Sequence, residues 1–162
     1  MIVLVGFMGA GKTTVGQLLA AKLGVPFTDS DHAIEARAGK QVREIFADDG
    51  EPAFRQLEHE VITGLLAGVG VLALGGGAAA HADTRASLRA SGVPVVYLKV
   101  SYAEAMNRVG GDSGRPMLAR PDVARVYAER DPLYTQAATL TVDVDGRSPE
   151  DIAGDLLTRL ER

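Results

Sequence analysis

The chain has 162 residues, 46% of them apolar and 23% charged, with a net charge of −4 and no cysteine. That length suits one domain with a proper core and leaves no room for a second, substrate-binding domain. The missing cysteine excludes disulfides, zinc-thiolate centres and thiol nucleophiles, and the acidic balance argues against nucleic acid as a partner.

In chain order, strand-like and helix-like segments alternate. Ile2–Val5 reads as a short apolar strand, and residues 12–23 as a helix with Val15, Leu18, Leu19 and Leu23 on one face. The apolar start has no basic residue ahead of it and runs directly into Gly9-Ala10-Gly11-Lys12, unlike an export signal. Residues 26–28 form a strand ending at acidic residues. Residues 32–38 and 42–48 read as short helices, and 51–67 as a longer one. A buried strand at 71–74 ends in Gly75-Gly76-Gly77. Residues 82–90 are helical, and 94–100 form a strand with Pro94 at its tolerated first position. A helix at 102–109 is followed by an irregular stretch at 110–121, a helix at 122–131, a strand at 138–143 and a final helix at 149–161. Five strands, apolar on both faces and separated by helices, indicate an α/β fold with a covered parallel sheet. No apolar run approaches membrane-spanning length, so a cytosolic chain is expected.

Gly6-Phe7-Met8-Gly9-Ala10-Gly11-Lys12-Thr13 matches the phosphate-loop pattern G-x-x-x-x-G-K-[ST] in full, between a strand and a helix. Glycines let successive backbone N–H groups turn inward around a phosphate, and the helix start adds its positive dipole end. Lys12 is expected to reach the β- and γ-phosphates, and the Thr13 hydroxyl to hold Mg²⁺. The strand at 71–74 carries no second acid for the metal. The acids stand instead at Asp29 and Asp31, where an extended chain would turn both carboxylates to the phosphate loop. One would serve the metal and the other a substrate hydroxyl; alternatively, Asp31 caps the helix beginning at His32.

Arg108, Arg115 and Arg120 surround the glycine-rich stretch at 110–121. A loop of that length in a compact domain is a lid or a disordered segment, and a lid that brings arginine to a phosphate suits a kinase. Arg55 lies beside an apolar helical face, where pointing into solvent is the ordinary alternative. Arg130 closes another helix, where an ion pair is the ordinary alternative. The glycine triplet offers either backbone contacts to a ligand or simple turn geometry. His32, His59 and His81 show no metal-ligand spacing and read as structural or exposed.

Over its whole length the chain resembles the shikimate kinase family. The resemblance rests on the phosphate loop through Thr14-Val15-Gly16, Asp29-Ser30-Asp31, Phe54-Arg55 with Glu58, Gly75-Gly76-Gly77, Arg115-Pro116, and Arg130 before Pro132-Leu133-Tyr134. It implies a single P-loop kinase domain over residues 1–162, like nucleoside monophosphate kinases, with sheet order 2-3-1-4-5 and helices on both faces. The lid is then about residues 110–120 and the substrate-binding helices about 31–62. It implies ATP-dependent phosphorylation of shikimate to shikimate 3-phosphate in the pathway to aromatic amino acids. Mg²⁺ is the cofactor, ATP and shikimate the partners, and no nucleic acid or membrane is involved; a monomer is expected. Lys12, Asp31 and Arg115 are the implied catalytic residues. Gly9, Ala10, Gly11, Lys12, Thr13, Thr14, Arg108, Arg115, Arg147 and Pro149 are assigned to the nucleotide. Asp31, Phe46, Phe54, Arg55, Gly75, Gly76, Gly77 and Arg130 are assigned to shikimate. Thr13, and Asp29 through water, are assigned to the metal. The lid departs slightly from the family pattern in reading Arg-Pro-Met-Leu, a nearly volume-conserving change. The competing expectations are a related small-molecule kinase, such as one acting on gluconate, and a nucleotide-binding module without catalysis.

Overall fold

The computed structural model describes residues 1–109 and 122–161. Among these, five strands form one parallel sheet: β1 (Ile2–Val5), β2 (Phe27–Asp29), β3 (Val71–Ala73), β4 (Val95–Lys99) and β5 (Leu140–Asp143). Their order is β2-β3-β1-β4-β5, as the sequence reading implied. Val95, Val96, Tyr97 and Leu98 of β4 are all buried, which requires cover on both faces of the sheet.

The helices are α1 (Lys12–Leu23), α2 (Ser30–Ala38), α3 (Val42–Asp49), α4 (Glu51–Leu65), α5 (Ala82–Ser91), α6 (Tyr102–Val109), α7 (Val123–Ala137) and α8 (Pro149–Leu160), with a short 3-10 turn at Ala78–Ala80. Helix α1 packs on α8 and against β1, β2 and β3, whereas α5 packs between α4 and α7. Val15, Leu19 and Ala20 of α1 join the main core with the central strands. The inward face expected for α1 is partly corrected: Leu18 is half-buried and Leu23 is exposed, at the end where the helix leaves the sheet. Helices α2, α3 and α4 gather round a second, smaller core of Ile34, Ile45, Phe54 and Val61.

Two boundaries differ from expectation for physical reasons. The chain does not stay extended through Asp31. Asp29 is the last strand residue, and its carboxylate accepts a hydrogen bond from the Asp31 amide at 2.9 Å, which caps α2 and starts it at Ser30. The cap is therefore Asp29 and not Asp31. The helix expected at 122–131 runs on through Pro132 to Ala137. Proline removes one backbone bond there, but Val126 and Tyr134 on either side of it are buried, and that packing offsets the loss.

The registers place the strand ends level. Asp29 pairs with Ala73, and Ala73 with Leu4, one residue before β1 ends. In a parallel sheet all the loops that leave the strands' carboxyl ends open onto one edge, where open α/β folds bind ligands. Asp29, Gly75 and the phosphate loop are thereby brought to one rim. None of the described helices is long and apolar enough to cross a membrane.

Candidate active site

The phosphate loop joins β1 to α1. Gly9 and Gly11 sit at φ of 82° and 87°, a left-handed conformation that a side chain would strain. No side chain caps the N-terminus of α1, so its first amides are left for an anion. Lys12 Nζ donates to the carbonyl oxygens of Gly6 at 2.7 Å and Phe7 at 3.2 Å, which holds the ammonium group over the loop. The Thr13 hydroxyl donates to Asp29 Oδ2 at 3.3 Å, across the gap between α1 and β2.

Around these groups opens a cleft of about 1080 Å³. Gly9, Ala10, Gly11, Lys12, Thr13 and Thr14 line its floor, with Asp29, Asp31, Gly75 and Gly76 on one side. Arg108, Arg147 and Pro149 close the other. Arg108 comes from α6, donates to Gly9 O at 2.9 Å and pairs with Glu104 at 3.0 Å. Arg147 stands in the turn before α8 and pairs with Asp155 at 3.2 Å, while Ser148 caps the helix by accepting from the Asp151 amide at 3.1 Å.

Asp31 lies in the first turn of α2. Burial, with the Asp29 carboxylate beside it, holds its carboxyl above the usual aspartate value against the pull of Lys12. Both acids do face the cleft, as expected, although a helical turn and not strand alternation brings them there. Ser30 between them is fully buried, and its hydroxyl accepts the Gly75 amide at 2.9 Å, tying β2 to the glycine triplet.

The triplet does enter a turn, in which the Ala78 amide donates to Gly75 O at 3.1 Å, but none of its three glycines has a positive φ, so the turn alone does not call for glycine. Room does. A methyl group on Gly75 would stand 2.8 Å from Asp31 Oδ1, and one on Gly77 would overlap the Arg55 guanidinium. Near Gly76, the corresponding position is 3.8 Å from Arg130 Nη1. Asp31, Arg55 and Arg130 therefore converge on three consecutive residues.

Arg55 is not a solvent-directed arginine. Its Nη1 pairs with Glu58 Oε1 at 2.8 Å, and its guanidinium carbon stands 5.1 Å from the Phe54 ring and 5.9 Å from that of Phe46. The two rings pack on each other at 4.7 Å. Phe54 itself is buried in the small core, so its part in the site is to support Phe46 and Arg55. Glu58 is 1% exposed, and burial pushes its carboxyl up to about 7 despite Arg55 beside it. On α7, Arg130 and Tyr134 follow one another by a single helical turn, and the Tyr134 hydroxyl donates to Gly76 O.

Sequence reasoning missed several lining residues: Glu35, Gln41, Val42 and Arg43 also face the cleft, and Glu35 fastens α3 by accepting the Val42 amide at 2.9 Å. Only the helix–helix junction reveals them. His32 is exposed as expected but lies on the cleft wall; His59 and His81 stack on each other at 5.8 Å outside the cleft lining. The expectations on Arg115, Arg120 and the lid fall outside the described residues. Among the described residues no group of three or more histidines and carboxylates is arranged to hold a metal. Thr13 and Asp29 supply oxygen donors alone, the chemistry that Mg²⁺ takes when phosphate oxygens complete its shell.

A complete phosphate loop at the carboxyl edge of a 2-3-1-4-5 parallel sheet, with the part-buried Asp31 in the same cleft and Arg55 and Arg130 against the neighbouring glycine triplet, outside the cleft lining, defines a P-loop small-molecule kinase. The family model for shikimate kinase matches residues 8–161. A shikimate kinase of Mycobacterium tuberculosis is 47% identical, the match covering 98% of this chain and 92% of that protein. One from Thermobifida fusca is 52% identical over 94% of this chain and 90% of its own. Among solved structures, shikimate kinase from Acinetobacter baumannii in complex with shikimate superposes with a TM-score of 0.91, at 38% identity over 99% of this chain and 92% of that one. The chain belongs to the shikimate kinase family, a P-loop ATP-binding family, and carries its kinase activity.

Proposed function

We propose that this chain, a single P-loop kinase domain working as a cytoplasmic monomer, transfers the γ-phosphoryl group of ATP to the 3-hydroxyl of shikimate. The acceptor oxygen forms its bond to the γ-phosphorus as the bond to the β–γ bridging oxygen breaks, and ADP leaves. The observation that carries this reading is Asp31 in the same cleft as Lys12 and the phosphate loop, with Gly75 against its carboxylate. An acid raised by burial is suited to orient the hydroxyl and accept its proton.

Arg55 and Arg130 offer two guanidinium groups to the substrate carboxylate, the geometry a planar anion favours. Phe46, over Phe54, walls the ring side, and the backbone at Gly75, Gly76 and Gly77 completes the pocket. Gly9, Ala10, Gly11 and Thr14 cradle the phosphates with Lys12, while Arg108, Arg147 and Pro149 flank the base. Thr13, and Asp29 through water, would hold Mg²⁺, which would supply positive charge against the charge that develops on the phosphates. Arg115 is assigned to the transferred phosphoryl group, where a guanidinium fork matches three oxygens.

The test is ADP formation with Mg²⁺ and ATP alone, with shikimate and with gluconate. Turnover should depend on shikimate. Turnover with gluconate only would leave the kinase chemistry and remove the substrate. Nucleotide binding without turnover on either would favour the non-catalytic module.

A further inference from the structure

Helix α7 carries more than Arg130 to the acceptor site. Tyr134, one turn further on, is 1% exposed, and its ring packs on that of Tyr97 at 5.1 Å. A phenol oxygen has one hydrogen and two lone pairs to place. The Tyr134 hydrogen goes to the Gly76 carbonyl, and the Arg130 guanidinium, one turn back on the same helix, stands beside the same residue, with Nη1 3.8 Å from the place a side chain on Gly76 would take. The Gly76 carbonyl belongs to the peptide joining Gly76 to Gly77, so this one bond fixes that planar unit. That unit lies between the close approaches of Arg130 to Gly76 and Arg55 to Gly77. A second hydroxyl in the same aromatic stack does something different: Tyr97 donates to Asp131 Oδ1 at 2.5 Å and so ties α7 to β4.

We propose that Tyr134 is a positioning residue for the acceptor carboxylate, its hydroxyl holding the Gly76 backbone in place beside the Arg130 guanidinium so that both are set together. The proposal rests on the reading that Arg130 grips that carboxylate. Burial raises the Tyr134 phenol to about 12, so the hydroxyl keeps its proton at working pH and remains a donor. An arginine left with free rotamers loses affinity for a planar anion before it loses charge.

Tyr134→Phe removes one oxygen and keeps the ring. The KM for shikimate should rise about tenfold, the scale of one hydrogen bond to a charged group, while kcat and the KM for ATP change less than about twofold. Tyr97→Phe is the control: it deletes the hydroxyl of an equally buried residue in the same stack and should lower the melting temperature with the shikimate KM unchanged. In an Arg130→Ala background, Tyr134→Phe should add nothing further to KM. Equal KM effects from the two tyrosines, or full additivity with Arg130→Ala, overturns the proposal. A normal KM in Tyr134→Phe beside a raised one in Arg130→Ala overturns the proposal alone. A normal KM in Arg130→Ala overturns the carboxylate-grip reading itself. Should Tyr134→Phe fail to fold, para-aminophenylalanine in place of Tyr134 keeps a donor toward Gly76; the shikimate KM should then stay within about twofold of normal, and a tenfold rise in a folded protein overturns the proposal.

Discussion

Glu58 buries a carboxylate beside Arg55, and only one of its oxygens, Oε1, meets that guanidinium; Oε2 is buried without a hydrogen-bond partner among the described residues. Burial raises its pKa from an ordinary 4.5 to about 7. Between those values the unfolded chain has released a proton that the native protein still holds, so raising the pH favours unfolding. The contribution of Glu58 to stability therefore falls as pH rises from about 4.5 to about 7 and is level above that. Glu58→Gln should show a flatter dependence than the parent protein when denaturation midpoints are compared at about pH 5 and about pH 8. Parallel slopes would mean that Glu58 titrates normally. Asp31 follows the same sign, since burial raises it too. Asp31→Asn should lower kcat by about two orders of magnitude or more while the melting temperature holds or rises, because the charge it removes is one the fold disfavours. Near-normal turnover would leave Asp31 no part in the chemistry.

The glycine triplet after β3 shows what elements do that residues alone do not. Gly77 sits at φ −99° and ψ −4°, which alanine adopts without strain, yet a methyl group there would meet the Arg55 guanidinium. Gly77→Ala should therefore fold normally and weaken shikimate binding about tenfold with ATP binding unchanged, as measured by calorimetric titration. Equal loss for both ligands would place Arg55 elsewhere. This part of the site was the least legible in the sequence. The phosphate loop could be read because its residues are contiguous and their spacing is the mechanism. The ion pair of Arg55 and Glu58 follows from their i, i+3 spacing on one helix. The approach of Gly77 to Arg55, or of Tyr134 to Gly76, depends on how α4, α7 and the β3 loop pack, and only the resemblance pointed there. Helix α2 was misjudged because an aspartate at a strand end reads equally as a strand residue and as a cap. Helix α7 was cut short because proline is a local signal, whereas the burial of Tyr134 that outweighs it is tertiary.

At the scale of the whole molecule, two cores divide the labour. The sheet with α1 and α8 holds the phosphate loop, and the small cluster of Ile34, Ile45, Phe54 and Val61 holds the helices bearing Asp31 and Arg55. The hydrogen-bonded bridge between the two parts is short. Asp29 accepts from Thr13, at the phosphate loop, on one oxygen and from the amide of Asp31, in α2, on the other. A ligand that draws on one oxygen of a carboxylate alters what the other can hold, so nucleotide and shikimate, placed as proposed, are expected to bind with coupled affinities. Thermodynamics then imposes a reciprocity: whatever factor ATP with Mg²⁺ contributes to the affinity for shikimate, shikimate must return to the nucleotide. Titrating each ligand into protein saturated with the other should give the same coupling factor from both directions. In Asp29→Asn, where both oxygens no longer share one charge, that factor should shrink toward unity. A factor unchanged by Asp29→Asn would mean that the coupling runs through some other part of the molecule.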